Sequence, residues 1–468
     1  MSGNETNKDS LSSAPIGKLV LKYALPSVIA LVVNSLYNIV DQVFIGWGVG
    51  TLGNSATNVI FPLNMVVMAI ALLLGDGGAA LLSLELGKKN KESAEKVVNN
   101  TLFYLIVAGI LFFVLCFVFL EPLTAMFGAT TDNLPYALAY GRIVVAGFPF
   151  VIIGSGLCSL IRADGTPQLT MIGMIAGCIT NVILDAVFVL GFNGGMEGAA
   201  IATVLGQLVN FFISVWYIPR FKTVRISLKY MKPVKGMLKK VASYGVSSFV
   251  AQISVAIIMA VINYYLVHCG MESVYGADIP LAAFGIVMKF NTILTSIVNG
   301  IGTGAQPIFG YNYGRGDYKR VRETYSLTVK SATLSAVIFF ALFQLLPYQL
   351  TALFGNQGDL YTEFSVMSFR IFTLFCFLNG FQAVTAIFFQ SIGKPVSSGA
   401  ISLSRQILFL IPATMILCHF IGVKGVLWAG PTADGLAFVL ALVLGIREMG
   451  QLKKLDANEK IILKEKIS

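Results

Sequence analysis

The chain has 468 residues, of which 56% are hydrophobic and only 12% are charged, and its formal net charge is +10. Soluble domains average about 25% charged residues, so this composition cannot cover a water-facing globular surface. The alternating segments of roughly ten residues that build a transmembrane β-barrel are also missing. We therefore expect an all-α integral membrane protein, whose positive charge reports membrane topology and not nucleic-acid binding.

Apolar runs long enough to cross a ~30 Å hydrocarbon layer recur along almost the whole chain. Glycine, proline and polar clusters divide them into twelve predicted membrane helices. In chain order these are 17–46, 53–84, 97–120, 134–161, 168–191, 196–219, 238–267, 281–311, 323–346, 362–390, 396–420 and 423–447. Residues 1–16 are predicted to be a disordered head, and they lack the pattern of a cleavable signal peptide.

Basic residues cluster in loops that follow even-numbered helices. The loops after helices 2, 6 and 8 contain Lys88, Lys89, Lys91, Lys96, Arg220, Lys222, Arg225, Lys229, Lys232, Lys235, Lys239, Lys240, Arg315, Lys319, Arg320 and Arg322. The loops after odd-numbered helices contain a single lysine or arginine, Lys424. This positive-inside pattern predicts a multi-pass protein of the bacterial inner membrane with both termini in the cytoplasm.

The chain repeats itself after 227 or 228 residues. Leu123–Gly128 reads LTAMFG and Leu350–Gly355 reads LTALFG, and Arg142-Ile143 recurs as Arg370-Ile371. An even number of helices per repeat predicts two parallel six-helix bundles. The predicted parts are a cytoplasmic head (1–16), an N-lobe of helices 1–6 (17–219), a basic cytoplasmic linker (220–237), a C-lobe of helices 7–12 (238–447) and a cytoplasmic tail (448–468).

Asp41 and Asp185 stand inside apolar runs, where a charged side chain costs at least ~2.5–3.5 kcal/mol at mid-bilayer. Each lies about six residues, or ~9 Å, before the outer end of its helix, so we expect both at one depth. Asn38 and Asn181 share helix faces with them, and Thr203 reaches the same level. Two close carboxylates resist ionising together, which predicts a site for H⁺ or Na⁺. Helix packing is the alternative role, above all for Asn181 and Thr203.

Further charged residues within the predicted helices include Lys289, Asp434 and Asp76. Lys289 in helix 8 and Asp434 in helix 12 fall near mid-membrane, and we expect them to pair, either as a structural contact or as part of the substrate cavity. Asp76, in Gly75-Asp76-Gly77, marks a candidate helix break. The six cysteines include no CxxC pair, so we expect neither a zinc site nor disulfide bonds.

Motifs for an enzyme are missing from the sequence. It contains no P-loop, HExxH or GxSxG pattern, and the glycines of Gly300–Gly304 lie in an apolar run that favours close helix packing. We therefore expect a protein that is not an enzyme and that needs no cofactor or resident metal. Na⁺ enters only as a possible transported ion.

Four segments, in order, resemble the MATE (multidrug and toxic compound extrusion) family over about residues 15–447. They are Pro26–Gly46, Asn181–Asp185, Gly198–Thr203 and Gly310–Gly314. The resemblance is to the bacterial branch whose acidic ion site lies in the N-lobe. The other bacterial branch carries acidic residues in helices 7 and 10, where this chain has Gln252 and, at the outer end of helix 10, Glu363.

The resemblance implies an antiporter in the lipid bilayer, with two six-helix lobes, that exports amphipathic, cationic drugs in exchange for H⁺ or Na⁺. We expect it to be a monomer. Such proteins confer antibiotic resistance. The alternative is a flippase for lipid-linked oligosaccharides with a related two-lobe architecture. A flippase of that kind would be expected to line its cavity with several cationic residues that hold a pyrophosphate.

Overall fold

The computed structural model describes residues 11–129, 131, 133–192, 194–227, 231–353 and 358–467. All regular secondary structure in these residues is helical. Eleven helices are long and apolar enough to span a membrane, and one bent helix pair makes a twelfth. The prediction of an all-α protein with twelve membrane helices is thereby confirmed.

We number the membrane helices in chain order. They are α1 (Ile16–Gly48), α2 (Thr51–Gly87), α3 (Lys91–Val118), α4 (Leu134–Ala163), α5 (Pro167–Gly191), α6 (Gly195–Tyr217), α7 (Met237–Met271), α8 (Asp278–Arg315), α9 (Tyr318–Leu345), α10 (Asp359–Phe372 with Cys376–Ser391), α11 (Pro395–Ile421) and α12 (Val423–Ile467). The two parts of α10 are bent by 42°. Wider π-helical turns occur in α5, at Ala186–Gly191, and in α11, at Ser404–Leu410.

The two halves, α1–α6 (N-lobe) and α7–α12 (C-lobe), pack their helices in the same pattern. In the N-lobe α1 packs on α5 and α2 on α4, as in the C-lobe α7 packs on α11 and α8 on α10. Each half surrounds its own hydrophobic core. The short helices Leu120–Met126 and Pro347–Ala352 lie between the third and fourth membrane helices of their halves. They contain the first four and the first three residues, respectively, of the repeated hexapeptide. Gly355, the last residue of the second copy, lies outside the described residues.

The head is ordered where the structure describes it, which corrects the prediction of disorder up to residue 16. Leu11 is buried, and its carbonyl accepts hydrogen bonds from Asn312 Nδ2 at 3.3 Å and Arg320 Nε at 3.2 Å. Arg320 also donates to the carbonyl of Ala14. These bonds hold residues 11–15 against α8 and α9. Residues 1–10 lie outside the described residues.

The last helix continues well beyond residue 447, where the sequence predicted its end. Glu448 pairs with Lys394 at 2.5 Å, and Asp456 pairs with Arg322 at 2.7 Å. These ion pairs join the predicted tail to the start of α11 and to α9. The tail is thus a continuation of α12, which runs to Ile467, and these pairs hold it on the C-lobe as far as Asp456.

The basic linker between the halves is tied to the N-lobe. Asp164, buried just after α4, accepts hydrogen bonds from the backbone N–H groups of Lys222 at 2.9 Å and Thr223 at 2.8 Å. Asn100 on α3 accepts another from the later part of the linker. Lys229, one of its basic residues, lies outside the described residues. The described linker segments therefore run along the N-lobe surface.

Two cysteines contradict the expectation of no disulfide bond. Cys269, near the end of α7, is bonded to Cys418, near the end of α11. The two residues are separated by 149 positions in the sequence, and only the packing of α7 on α11 brings them together. The sequence could not show this, because it does not reveal which helices are neighbours.

The positive-inside pattern makes a prediction about topology. Single cysteines that replace the exposed residues Lys89, Lys232 and Lys319 should not react with a membrane-impermeant thiol reagent added to intact cells. A cysteine replacing Val274, exposed in the loop between α7 and α8, should react quickly as the matched control. The native cysteines do not interfere, because four are buried and two are bonded. Rapid labelling at any of the three basic sites would contradict the predicted orientation in the membrane.

Candidate functional site

Close helix packing in the N-lobe brings Asp41 and Asp185 together. Asp41 lies on α1 and Asp185 on α5, and these two helices pack against each other. α5 in turn approaches α6 closely, since a Cβ added to Gly206 would lie 2.7 Å from the carbonyl oxygen of Gly177. Only glycine at these positions lets the polar residues one turn away, on α5 and α6, meet.

Four of the five predicted ion-site residues form one cluster. The Asp41 carboxylate is adjacent to the side chains of Asp185, Asn181 and Thr203. Asn181 Nδ2 lies 3.5 Å from Thr203 Oγ1, to which it donates. Asp185 has 0% of its surface exposed and Asn181 1%, so the cluster is closed on the side of α5. Asp41 is only partly buried and forms its accessible side.

The cluster contains more hydrogen-bond acceptors than donors. Both carboxylate oxygens of Asp185, one of Asp41 and the amide oxygen of Asn181 are buried and accept no hydrogen bond from the described residues. Buried polar atoms normally have a partner. A proton shared by the two carboxylates, or a Na⁺ ion coordinated by these oxygens, would satisfy them. The arrangement therefore suits a small monovalent cation.

Asn38, the fifth predicted residue, does not join the cluster. Its side chain is exposed, and its amide donates to the carbonyl of Asn34 on the same helix at 2.6 Å. Asn38 lies on the same helix face as Asp41, but this does not determine the partner of its amide, because Asn side chains readily form hydrogen bonds with nearby backbone groups. The prediction that Asn38 belongs to the ion site is corrected on this point.

Two tyrosines that were not predicted at this site flank the carboxylates. Tyr37 on α1 and Tyr140 on α4 both lie close enough to Asp41 and Asp185 for direct electrostatic interaction. Tyr140 is also adjacent to Thr203. Their hydroxyl groups can donate to a carboxylate, so they can stabilise the state in which no cation is bound. Tyr37 lies in the segment Pro26–Gly46 that resembles the MATE family, whereas no sequence signal separated Tyr140 from the other tyrosines.

A wider helical turn begins directly after Asp185. Residues Ala186–Gly191 are π-helical, whereas the helix up to Asp185 is regular. Such turns are rare and occur frequently at functional sites, since they change the direction of side chains and free backbone groups. This turn makes up the last six residues of α5, directly after the cluster.

The predicted pair of Lys289 and Asp434 is wrong. Asp434 Oδ1 instead accepts a hydrogen bond from Arg405 Nε at 2.6 Å, and 3% of its side chain is exposed. α12 packs on the π-helical segment of α11 that contains Arg405, whereas Lys289 lies half-buried on α8. Equal depth in the membrane was the basis of the prediction, and depth alone does not make two helices neighbours.

Asp76 does not mark a helix break, because α2 continues through it from Thr51 to Gly87. Its carboxylate is buried and accepts hydrogen bonds from Ser159 at 2.6 Å and from Arg162 at 3.3 Å, both on α4. The charge is therefore compensated inside the N-lobe, which lets a regular helix carry it.

Comparisons with known proteins agree with this architecture. The multidrug export protein MepA of Staphylococcus aureus (strain MSSA476) is 24% identical over 432 residues, which cover 92% of this chain and 94% of that protein. A crystal structure of MATE in complex with MaD3S has a TM-score of 0.89 and 23% identity, and covers 96% of this chain and 100% of its own. An outward-facing multidrug resistance MATE transporter of the MOP superfamily also reaches 0.89, with 22% identity and coverage of 97% and 99%.

The family assignment rests on a match that covers both halves. The family model MatE matches residues 26–187, from α1 to just beyond Asp185 on α5, and residues 248–416, from α7 to α11. Together these ranges include well over half of the chain. The protein belongs to the MATE family of transporters.

Proposed function

We propose that this transporter is a secondary-active multidrug antiporter that exports amphipathic, cationic compounds in exchange for H⁺ or Na⁺. The observation that carries the proposal is the pair Asp41 and Asp185, because three of their four carboxylate oxygens are buried without a hydrogen-bond donor among the described residues. Ionisable groups buried at membrane depth mark ion pathways by default. The name of the relative MepA, a multidrug export protein, supports drugs as the substrate class.

The coupling follows from competition for negative charge. With H⁺ or Na⁺ bound, the carboxylates are neutralised and no longer favour a cationic drug. Once the ion has left, the same carboxylates favour drug loading. A ligand shifts the equilibrium between the two states of the transporter only by the difference in its affinity for those states. Ion entry from outside would thus promote drug release, and ion loss to the cytoplasm would promote drug binding.

The charge of the site also argues against the flippase alternative. A pyrophosphate needs several cations, but the cluster in the N-lobe is acidic. In the C-lobe the Arg405 guanidinium is already paired with Asp434. The acidic cluster would repel an anionic substrate, and the substrate would have to displace Asp434 to bind Arg405.

Purified protein in liposomes tests the proposal. Ethidium transport should follow an imposed pH gradient or an imposed Na⁺ gradient, each applied alone, and should stop when an ionophore collapses that gradient. Empty liposomes are the control. Movement of a fluorescent lipid-linked oligosaccharide without any gradient-driven ethidium transport would support the flippase instead.

A further inference from the structure

The two lobes meet through the halves of their helices that lie next to the basic loops. A Cβ on Gly245 of α7 would lie 1.8 Å from the carbonyl oxygen of Leu73 on α2. On α8, a Cβ on Gly304 would lie 2.5 Å from the Cα of Ala24 on α1. Small residues thus let the backbones of the two lobes touch at this level.

Among the described residues, the polar contacts between the lobes reach only as far as the middle of these helices. Ser35 and Ser296 hydroxyls lie 2.6 Å apart between α1 and α8, and Gln252 Nε2 lies 3.1 Å from Met65 Sδ between α7 and α2. Ser35 is about 13 residues, or ~20 Å, from the far end of α1. The lobes are therefore closed on the side of the basic loops, which is the predicted cytoplasmic side.

Asp76 lies at the centre of this closed region and binds both lobes. Within the N-lobe it accepts from Ser159 and Arg162 through Oδ1. Across the interface its Oδ2 accepts from Ser248 of α7 at 2.9 Å, and its backbone carbonyl accepts from Gln306 of α8 at 3.3 Å. Ser248 is held in turn by its neighbours in the C-lobe, since Gln390 Nε2 donates to its hydroxyl at 3.1 Å.

We propose that the bonds from Ser248 and Gln306 to Asp76 form the latch of the cytoplasmic gate, which keeps the lobes closed on that side. This inference deepens the proposed antiport function and rests on it, because an antiporter must open in turn to the two sides of the membrane. When the lobes separate, Ser248 and Gln306 leave with the C-lobe, while Arg162 stays with Asp76. The buried charge therefore remains paired in both states, and only bonds from neutral donors open and close.

This division of partners suits a gate. A charge pair across the interface would leave a buried charge unpaired whenever the gate opened, which is strongly unfavourable. A hydroxyl that donates to a carboxylate gives a stronger bond than two neutral groups do, yet it can be replaced by water when the lobes part. Asp76 thus keeps its charge compensated while it remains a releasable acceptor.

Two matched variants test the latch. Ser248→Ala and Ser159→Ala each remove one hydroxyl that donates to Asp76, but only the first bond crosses between the lobes. Nitroxide labels on Lys91→Cys and Lys319→Cys, exposed on the N-lobe and the C-lobe, report the separation of the lobes by pulsed electron resonance in liposomes. The native cysteines are buried or bonded and do not take up label.

We expect Ser248→Ala to raise the population with a longer label distance about tenfold, as for loss of a hydrogen bond to a charged group. Ser159→Ala should keep the distance distribution of the unsubstituted protein. Equal shifts in both variants, or no shift in Ser248→Ala, would overturn the latch. The measurement uses neither drug nor ion gradient, so it is independent of whether the protein pumps ethidium.

Discussion

Replacement of Asp41 or Asp185 by asparagine is expected to reduce gradient-driven ethidium export to the level of empty liposomes, while the protein still folds and reaches the membrane. Asparagine keeps the size and an acceptor oxygen of the side chain but cannot exchange a proton, and it binds Na⁺ less strongly than a carboxylate does. Transport in liposomes with imposed pH or Na⁺ gradients measures the effect.

The matched control is Glu363→Gln. Glu363 is an exposed carboxylate on α10 that accepts a hydrogen bond from Tyr275 at 2.9 Å. Glu363→Gln therefore replaces a carboxylate by an amide, as the aspartate variants do, but outside the cluster. It should leave export unchanged. Asn181→Ala and Thr203→Ala should weaken export less than the aspartate variants, because these side chains only supplement the carboxylates. If both Asp→Asn variants export normally, the coupling site lies elsewhere.

The sequence predicted the membrane helices well because the bilayer imposes length and polarity on each of them. It did not predict the break in α10. Residues 372–376 read Phe-Thr-Leu-Phe-Cys, without glycine or proline, and they are apolar apart from the threonine. Thr373 Oγ1 bonds back to the carbonyl of Phe369 at 2.5 Å, a contact that bends helices. Whether such a bond forms depends on the surrounding packing, which the sequence does not reveal.

The cluster around Asp41 and Asp185 could be located because carboxylates inside apolar runs are rare and their depth can be counted along a helix. That reasoning placed Asp41 and Asp185 at one level, and the packing of α1 on α5 brings them into contact. Tyr140 was not identified, since tyrosine is common in membrane helices and gives no signal by itself. Its position beside the carboxylates depends on the packing of α4 with α6.

The same depth argument failed in the C-lobe, where it paired Asp434 with Lys289. Depth fixes one coordinate of a residue, whereas the identity of a neighbour also depends on which helices touch. Arg405 lies in an apolar segment and could have been considered, but it stands nearer the inner end of its helix, where snorkelling is a sufficient explanation. The contact of α11 with α12 makes it the partner of Asp434.

This corrected pairing predicts a large effect on stability. Asp434→Ala and Arg405→Ala should each lower the free energy of unfolding by ~3–5 kcal/mol, because each leaves its buried partner uncompensated. The double variant Arg405→Met with Asp434→Leu should recover most of that loss, since apolar side chains of similar volume replace both charges. Thermal unfolding in detergent, followed by size-exclusion chromatography, and the amount of protein in the membrane measure the effect.

A double-mutant cycle separates the two candidate partners of Asp434. Arg405→Ala and Asp434→Ala should be strongly non-additive, because both remove the same 2.6 Å contact. Lys289→Ala and Asp434→Ala should add to within about 0.5 kcal/mol, as substitutions at sites without a shared partner do. Non-additivity with Lys289 and additivity with Arg405 would restore the original pairing. The expected result would instead assign Arg405 and Asp434 to the architecture of the C-lobe and leave Asp41 and Asp185 as the acidic pair available for ion coupling.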